Sequence, residues 1–146
     1  MQTPSSIEFD VVPTAPHKPL SLTVRFDGEV KWQRTAITEI CHVVLDFDDA
    51  VEAQHCVQLE VANKTPEHTK VDSDGNILED SLLSLRNIML DGIDITNLVP
   101  NISTYTHDFN GTGSQQTDVV YGDLGCNGVA TIEFSSPVYL WILANI

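Results

Sequence analysis

Residues 71–80, VDSDGNILED, hold four acidic residues and a glycine, which are the residue types found in calcium-binding loops. An EF-hand loop needs oxygen ligands at its positions 1, 3 and 5, glycine at position 6 and a bidentate Glu at position 12. With Gly75 at position 6, Lys70 falls at position 1 and Ser81 at position 12. A cation therefore stands where the first ligand should be, and the sequence does not predict an EF-hand.

The same acidic stretch is typical of a turn between two strands. Asp and Asn side chains hydrogen-bond to nearby backbone, and glycine adopts positive φ without strain. We expect a plain hairpin turn here. The alternative is a calcium site of another kind, formed by Asp72, Asp74 and Asp80 or by the acidic group at 46–49. Calcium is the one cofactor that the sequence leaves open.

Two mirrored dipeptides, Cys41-His42 and His55-Cys56, contain residue types that bind zinc. If residues 41–56 formed a tight hairpin, Cys would face Cys and His would face His across the ladder. Neighbouring side chains of a strand point to opposite faces. The cysteines would then share one face and the histidines the other, so the four ligands could not converge. We expect free thiols and no zinc site.

The segment 105–128, YTHDFNGTGSQQTDVVYGDLGCNG, combines amides, hydroxyls and aromatic rings. Such loops bind sugars or partner proteins because a ring can stack while amides hydrogen-bond. An ordinary long loop has the same composition, so both interpretations stay open. The candidate binding residues are Tyr105, His107, Phe109, Asn110, Tyr121 and Asn127. No Ser or Cys near His107 has the sequence context of an activated nucleophile, so no catalytic residue is assigned and we expect no enzyme.

The charge of the chain restricts its partners. It has 21 acidic residues against 7 Lys and Arg, for a formal net charge of −14. A surface of this sign repels nucleic acid and anionic membranes, so we expect neither as a partner. No Lys or Arg follows Arg86. Contacts made by the later residues must be apolar, polar or cation-bridged, or must use a basic partner.

No segment of the sequence is typical of a targeting signal or a membrane span. The first residues, MQTPSSIEFD, contain neither a basic region nor an apolar core. No run approaches the roughly 18 apolar residues that cross a bilayer. We expect synthesis and retention in a cytoplasm unless the protein leaves as part of an assembly.

Period-2 alternation of apolar and polar residues dominates the chain and predicts strands. In LSLTVRFDGEVKW, residues 20–32, the Asp27-Gly28 pair predicts a type I′ hairpin turn. Further alternating runs at 37–47, 55–61, 82–90 and 129–134 predict short strands separated by turn residues. The expected fold is therefore all-β, an antiparallel β-sandwich or jelly roll. We expect one domain over residues 20–146, preceded by a loose N-terminal arm over residues 1–19.

Residues 138–146, VYLWILANI, are apolar at almost every position. As a strand this run would have two apolar faces. That pattern favours a central strand, with a strand covered by a second subunit as the alternative.

Several of these motifs together resemble a family of small, mostly uncharacterised proteins of T4-like tailed phages that infect marine cyanobacteria. The resemblance runs from about Ser21 to Ile146. The motifs that carry it are Asp49 with His55, HTKVDSDGNILED, IMLDGIDI, YTHDFNGTG, YGDLGCNG and PVYLW. The family is similar in fold to jelly-roll carbohydrate-binding modules, some of which depend on calcium.

The resemblance implies a virion protein, synthesised in the host cytoplasm and released in the particle. The expected function is that of a non-enzymatic structural or accessory subunit, a decoration of the capsid or tail. Its partners would be other virion proteins, within an oligomer or a lattice. The alternative is a glycan binder used in host adsorption, with or without calcium.

Overall fold

The computed structural model describes residues 3–111 and 113–146. In these residues the chain forms thirteen strands: β1 (Pro4–Pro13), β2 (Ser21–Phe26), β3 (Glu29–Arg34), β4 (Cys41–Asp48), β5 (Ala53–Ala62), β6 (Thr69–Val71), β7 (Ile77–Asp80), β8 (Leu83–Leu90), β9 (Ile93–Asp94), β10 (Ser103–His107), β11 (Gln116–Asp118), β12 (Asp123–Leu124) and β13 (Gly128–Ser136). Two α-helices, α1 (Val99–Ile102) and α2 (Val138–Asn145), and short 3-10 turns at Pro66–His68 and Thr96–Leu98 complete the described part.

Two sheets pack face to face, and every strand pair in them is antiparallel. The first sheet has the order β12-β8-β1-β4, with β9 paired to β8. The second has the order β11-β10-β13-β5-β2-β3. Strands β6 and β7 form a separate hairpin. The prediction of an all-β antiparallel sandwich is confirmed.

The alternation in the sequence determines which side chains fill the core. In β2 the apolar residues Leu22, Val24 and Phe26 are buried and their neighbours are half-buried. β13 follows the same rule, with Ile132 and Phe134 buried. One contiguous apolar cluster lies between the two sheets. Because successive side chains point to opposite faces, the alternate residues of these strands form the outer surface.

The predicted hairpin at Asp27-Gly28 is confirmed. Both residues have positive φ, 51° and 86°, as a type I′ turn requires. The same geometry recurs at Asp91-Gly92, with φ of 50° and 78°, between β8 and β9. Gly75 has φ of 84° in the turn between β6 and β7, so the prediction that the acidic stretch forms a turn between two strands is also confirmed.

The expected N-terminal arm is wrong for most of its length. β1 is an inner strand of the first sheet, paired with β4 on one side and β8 on the other. The cause is its own alternation, which buries Ile7, Phe9 and Val11 completely or nearly so. Pro4 and Pro13 stand at the two ends of the strand, where proline is tolerated. Residues 1 and 2 lie outside the described residues.

The prediction of a strand at residues 138–146 is also wrong, because residues 138–145 form α2. Val138 and Ile142, four residues apart, are buried on one side of this helix. Asp49 accepts a hydrogen bond from the Val138 backbone N–H at 2.8 Å and so satisfies one of the free donors at the helix start. An uninterrupted apolar run has no period that distinguishes a strand from a buried helix.

The hypothetical hairpin between Cys41 and Cys56 does not form. β4 pairs with β1 in the first sheet, whereas β5 pairs with β2 and β13 in the second. The segment between β4 and β5 therefore crosses from one sheet to the other. Cys41, Cys56 and Cys126 are free thiols, as expected.

Candidate functional site

The polar residues of segment 105–128 bond mainly to each other and to neighbouring backbone. Tyr105 is buried, and its hydroxyl donates to the Cys126 carbonyl and accepts from the Cys126 N–H. Burial raises the pKa of Tyr105. The hydroxyl thus holds the Cys126 backbone against β10, and its donor and its acceptor are both used within the protein.

Asn127 and Asn110 also act within the protein. The Asn127 side chain accepts from the Lys64 N–H and donates to the Lys64 carbonyl, both at 2.8 Å, so it imitates a strand partner. The side-chain amide oxygen of Asn110 accepts a hydrogen bond from the backbone N–H of Asn127 at 2.7 Å. Both candidate binding residues therefore hold the loop in place.

His107 is buried and its Nε2 lies 2.8 Å from an Asp118 carboxylate oxygen. Its ring lies between those of Tyr105 and Phe109, tilted against the first and edge-to-face with the second, at centroid distances of 5.0 and 4.8 Å. Phe109 is partly exposed, and Tyr121 is 83% exposed. Of the six candidates, Phe109, Asn110 and Tyr121 are exposed, Asn127 is half-buried, and Tyr105 and His107 are buried.

Two of the three carboxylates proposed for calcium, Asp72 and Asp80, have other partners, and the third, Asp74, is exposed on the turn. Asp72 accepts from the backbone N–H groups of Asp74 and Asn76, both at 2.9 Å, and these bonds lower its pKa. Asp80 accepts from the buried Lys64 ammonium at 2.7 Å and from the Thr69 hydroxyl at 2.8 Å. One carboxylate therefore folds the turn, and the other neutralises a buried cation.

The acidic group at 46–49 is likewise used locally. Asp48 accepts from the N–H groups of Thr3 and Ala50, and Asp49 binds the start of α2. Within residues 3–111 and 113–146, no group of three or more His, Cys, Asp or Glu side chains is placed to hold a metal ion.

The fold assembles one constellation that the sequence did not predict. His55 lies among the rings of Phe26, Phe47 and Phe134, at centroid distances of 5.0 to 5.3 Å. Its Nδ1 is 2.9 Å from an Asp27 oxygen, and its Nε2 is 3.0 Å from the Ser136 hydroxyl. These are the atoms and distances of a Ser-His-Asp triad.

The surroundings of Ser136 argue against catalysis by this triad. Ser136 is 3% exposed, and its hydroxyl lies 2.5 Å from the Val51 carbonyl, a closer acceptor than His55. Its proton is thereby directed away from the histidine that would have to remove it. The Ala53 carbonyl stands 3.5 Å away. Two carbonyl oxygens would repel an oxyanion, whereas catalysis needs donors at that point. The triad instead ties the β2–β3 turn to β5 and to the end of β13.

A cleft of about 390 Å³ lies on the outer face of the second sheet. We call it the Trp141 cleft. Its floor comes from alternate residues of three adjacent strands, β10, β13 and β5, and α1 and α2 border it. The lining side chains used below are Thr104, Thr131, Glu133, Gln54, Asn101 and Trp141.

The polar side chains of this cleft differ from those of segment 105–128. None of the five makes a hydrogen bond or an ion pair with another part of the described chain; they are Thr104, Thr131, Glu133, Gln54 and Asn101. Trp141 is half-buried and packs edge-to-face on Phe134, with ring centroids 6.2 Å apart. The cleft thus presents an anchored indole beside uncommitted donors and acceptors.

The sequence contained part of this signal. In VATIEFSS the polar residues Thr131, Glu133 and Ser135 alternate with apolar ones, which places them together on the outer face of a strand. Gln54 joins them only because β5 pairs with β13, with Gln54 opposite Ser135. Trp141 joins them only because residues 138–145 are helical.

The described residues include no helix of sufficient length and apolarity to span a bilayer. Comparison of the chain with known proteins found no matching family model, no similar curated protein and no similar solved structure.

Proposed function

We propose that this protein is a non-enzymatic structural or accessory subunit of a phage particle, attached to the capsid or tail by protein–protein contacts. One observation carries the proposal: an apolar surface on α2 that faces solvent. We call this surface the α2 face, and it consists of Tyr139, Leu140, Leu143 and Ile146, each at least 57% exposed. The resemblance to cyanophage proteins supplies the kind of assembly.

The arrangement of α2 explains why its outer face is apolar. Val138 and Ile142 already anchor the helix on its inner side. The outer residues Tyr139, Leu143 and Ile146 follow the i, i+4, i+7 spacing of a second stripe, which the fold itself does not cover. Contiguous apolar surface of this kind marks interaction sites in proteins that otherwise expose polar residues.

The charge around the α2 face indicates what should cover it. Leu140 and Trp141 border a cleft with Glu52, and Trp141 also borders Glu133. No Lys or Arg lines either cleft. A second copy would bring the same acids into contact, whereas a virion protein with an apolar groove and a basic rim would complement them. We therefore assign the α2 face to a basic-rimmed partner.

The test is the copy number of this protein in purified phage particles, measured by quantitative mass spectrometry. Tens to hundreds of copies per particle are expected for a capsid or tail subunit. Its absence from particles would overturn the proposal.

Two matched variants then test the α2 face. Leu143→Glu should abolish incorporation into particles while leaving the fold intact, because Leu143 is 69% exposed. Leu78→Glu, at a leucine of the β6–β7 hairpin that is 60% exposed, should be incorporated normally. Equal incorporation of both variants would retain virion membership and reject α2 as the contact.

A second candidate function, glycan binding during host adsorption, is favoured by one observation, the uncommitted polar groups beside the indole of Trp141. Most loop residues first considered for this role are occupied by internal bonds. The role is therefore assigned to the strand surface of the Trp141 cleft and not to the residues of segment 105–128.

A further inference from the structure

The geometry points to the Trp141 cleft as a binding site for a neutral saccharide. This inference rests on the second of the two proposed functions, and the cleft shares Trp141 and Glu133 with the surroundings of the α2 face. It follows from three properties of the cleft: the chemistry of its groups, their charge, and the rigidity of the elements that hold them.

The chemistry of the lining groups matches polyhydroxylated ligands. The amides of Gln54 and Asn101 each donate and accept hydrogen bonds, and so do the threonine hydroxyls. A sugar hydroxyl also does both, so one ring can engage several of these groups together. The Glu133 carboxylate accepts only, and it can receive two hydroxyl protons at once.

Trp141 supplies the apolar half of the site. A saccharide has C–H faces that pack on aromatic rings, and an indole offers a large rigid surface for this contact. Its contact with the buried Phe134 fixes the indole against the core. Binding therefore costs little ordering of this side chain.

Charge separates a saccharide from the other ligand classes. Glu133 and the absence of Lys and Arg from the cleft lining disfavour an anion. A cation would find a single carboxylate, Glu133, in the cleft lining. A neutral ligand with many hydroxyls is the class that uses all five polar groups and the ring.

The floor of the cleft is preorganised. Thr104 and Thr131 are cross-strand partners in the β10–β13 ladder. Gln54 and Glu133 lie on neighbouring strands in the same sheet. Side chains on paired strands keep their spacing better than side chains on loops.

The test uses tryptophan fluorescence. The chain has two tryptophans, so Trp32→Phe leaves Trp141 as the only indole. Titration of this variant with maltohexaose, cellohexaose and chitohexaose should give a saturable change in Trp141 emission with at least one sugar. Adding Gln54→Ala or Glu133→Gln should weaken that binding about tenfold, the worth of one hydrogen bond.

Gln33→Ala is the matched control, because Gln33 is exposed on the edge strand β3 of the same sheet and does not line the cleft. It should leave the binding constant unchanged. No saturable change with any of the three sugars would overturn the inference. A response to hexalysine that matches or exceeds the response to sugars would also overturn it, in favour of a cationic ligand.

A second measurement distinguishes a wrong assignment of the cleft from a failure of glycan binding itself. Each sugar is also titrated by equilibrium dialysis, which detects binding anywhere on the protein. Binding that persists in Gln54→Ala and Glu133→Gln but disappears in Tyr121→Ala would retain glycan binding and place it on segment 105–128. The cleft assignment would then be wrong.

Discussion

Segment 105–128 and the Trp141 cleft are both rich in amides, hydroxyls and aromatic rings, yet they use these groups in opposite ways. In the segment, Tyr105, His107 and Asn127 bond to backbone or to a carboxylate of the protein. In the cleft, Gln54 and Glu133 have no partner within the described chain. Composition alone therefore cannot distinguish a binding surface from a loop that stabilises itself.

The difference has a structural cause. The parts of segment 105–128 that lie outside β10, β11 and β12 form no ladder, so their backbone groups need side chains as partners, as the Cys126 N–H and C=O use the Tyr105 hydroxyl. Adjacent strands already satisfy their backbone groups through each other, which leaves the outward side chains free for other contacts. Uncommitted polar groups should accordingly be sought on a sheet face before a self-bonded loop.

The largest expected effect concerns the buried ion pair beside segment 105–128. Asp80→Ala leaves the Lys64 ammonium, whose side chain is 3% exposed, without its carboxylate. An unpaired buried charge costs about 3–5 kcal/mol, so the free energy of unfolding measured by urea denaturation should fall by that amount. Asp74→Ala, at an exposed carboxylate of the β6–β7 turn, should change it by less than about 0.5 kcal/mol. Similar losses in both variants would contradict the assigned role of Asp80.

The next effect compares an asparagine from each region directly. Asn127→Ala removes two hydrogen bonds and leaves the Lys64 N–H and C=O without partners. We expect a loss of about 2 kcal/mol in the free energy of unfolding. Asn101→Ala, in the cleft, should stay within about 0.5 kcal/mol because no internal bond is lost. If both variants were equally stable, the distinction between the two regions would fail.

The smallest expected effect concerns His42, a polar residue that is exposed but hydrogen-bonded to a carboxylate. His42 lies 2.6 Å from Asp10 and 3.8 Å from Glu8 on the outer face of the first sheet. The hydrogen bond to Asp10 raises the pKa of His42 above 6.5. The stability from this pair is therefore complete below pH 6.5 and declines as the pH rises through the raised value.

NMR titration of the His42 imidazole checks this prediction. In Asp10→Asn the pKa of His42 should be lower than in the wild type. The difference in unfolding free energy between wild type and His42→Asn should be greater at pH 6 than at pH 9. A His42 pKa that does not change in Asp10→Asn would exclude Asp10 as the cause.

Local rules predicted the parts of the fold that depend on neighbouring residues. The hairpin at Asp27-Gly28 was predictable because few residue pairs adopt positive φ at both positions. The strands β2 and β13 were predictable because alternation is enforced by burial of one face. The turn at Gly75 followed from the same chemistry, including the rejection of an EF-hand.

The predictions that were wrong concern segments whose secondary structure is decided by long-range contacts. Residues 4–13 belong to the stretch expected to form an arm, but partners thirty or more residues away, in β4 and β8, make them an inner strand. Residues 138–145 were apolar throughout, so only packing against β13 and the bond to Asp49 selected a helix. A long-range contact also explains the internal role of Asn127, whose side chain donates to the carbonyl of the distant residue Lys64.

The amino-acid sequence of this chain determined the class of fold, the turns and the sign of the surface charge, since each depends on residue type and short spacing. Tertiary structure decided which polar groups remain uncommitted. It brought Asp27, His55 and Ser136 into one hydrogen-bonded network, and it placed Trp141 beside Glu133 and Gln54. These contacts depend on which strands pair and where the terminal helix packs. They join residues that are far apart in the sequence, so no local pattern predicts them.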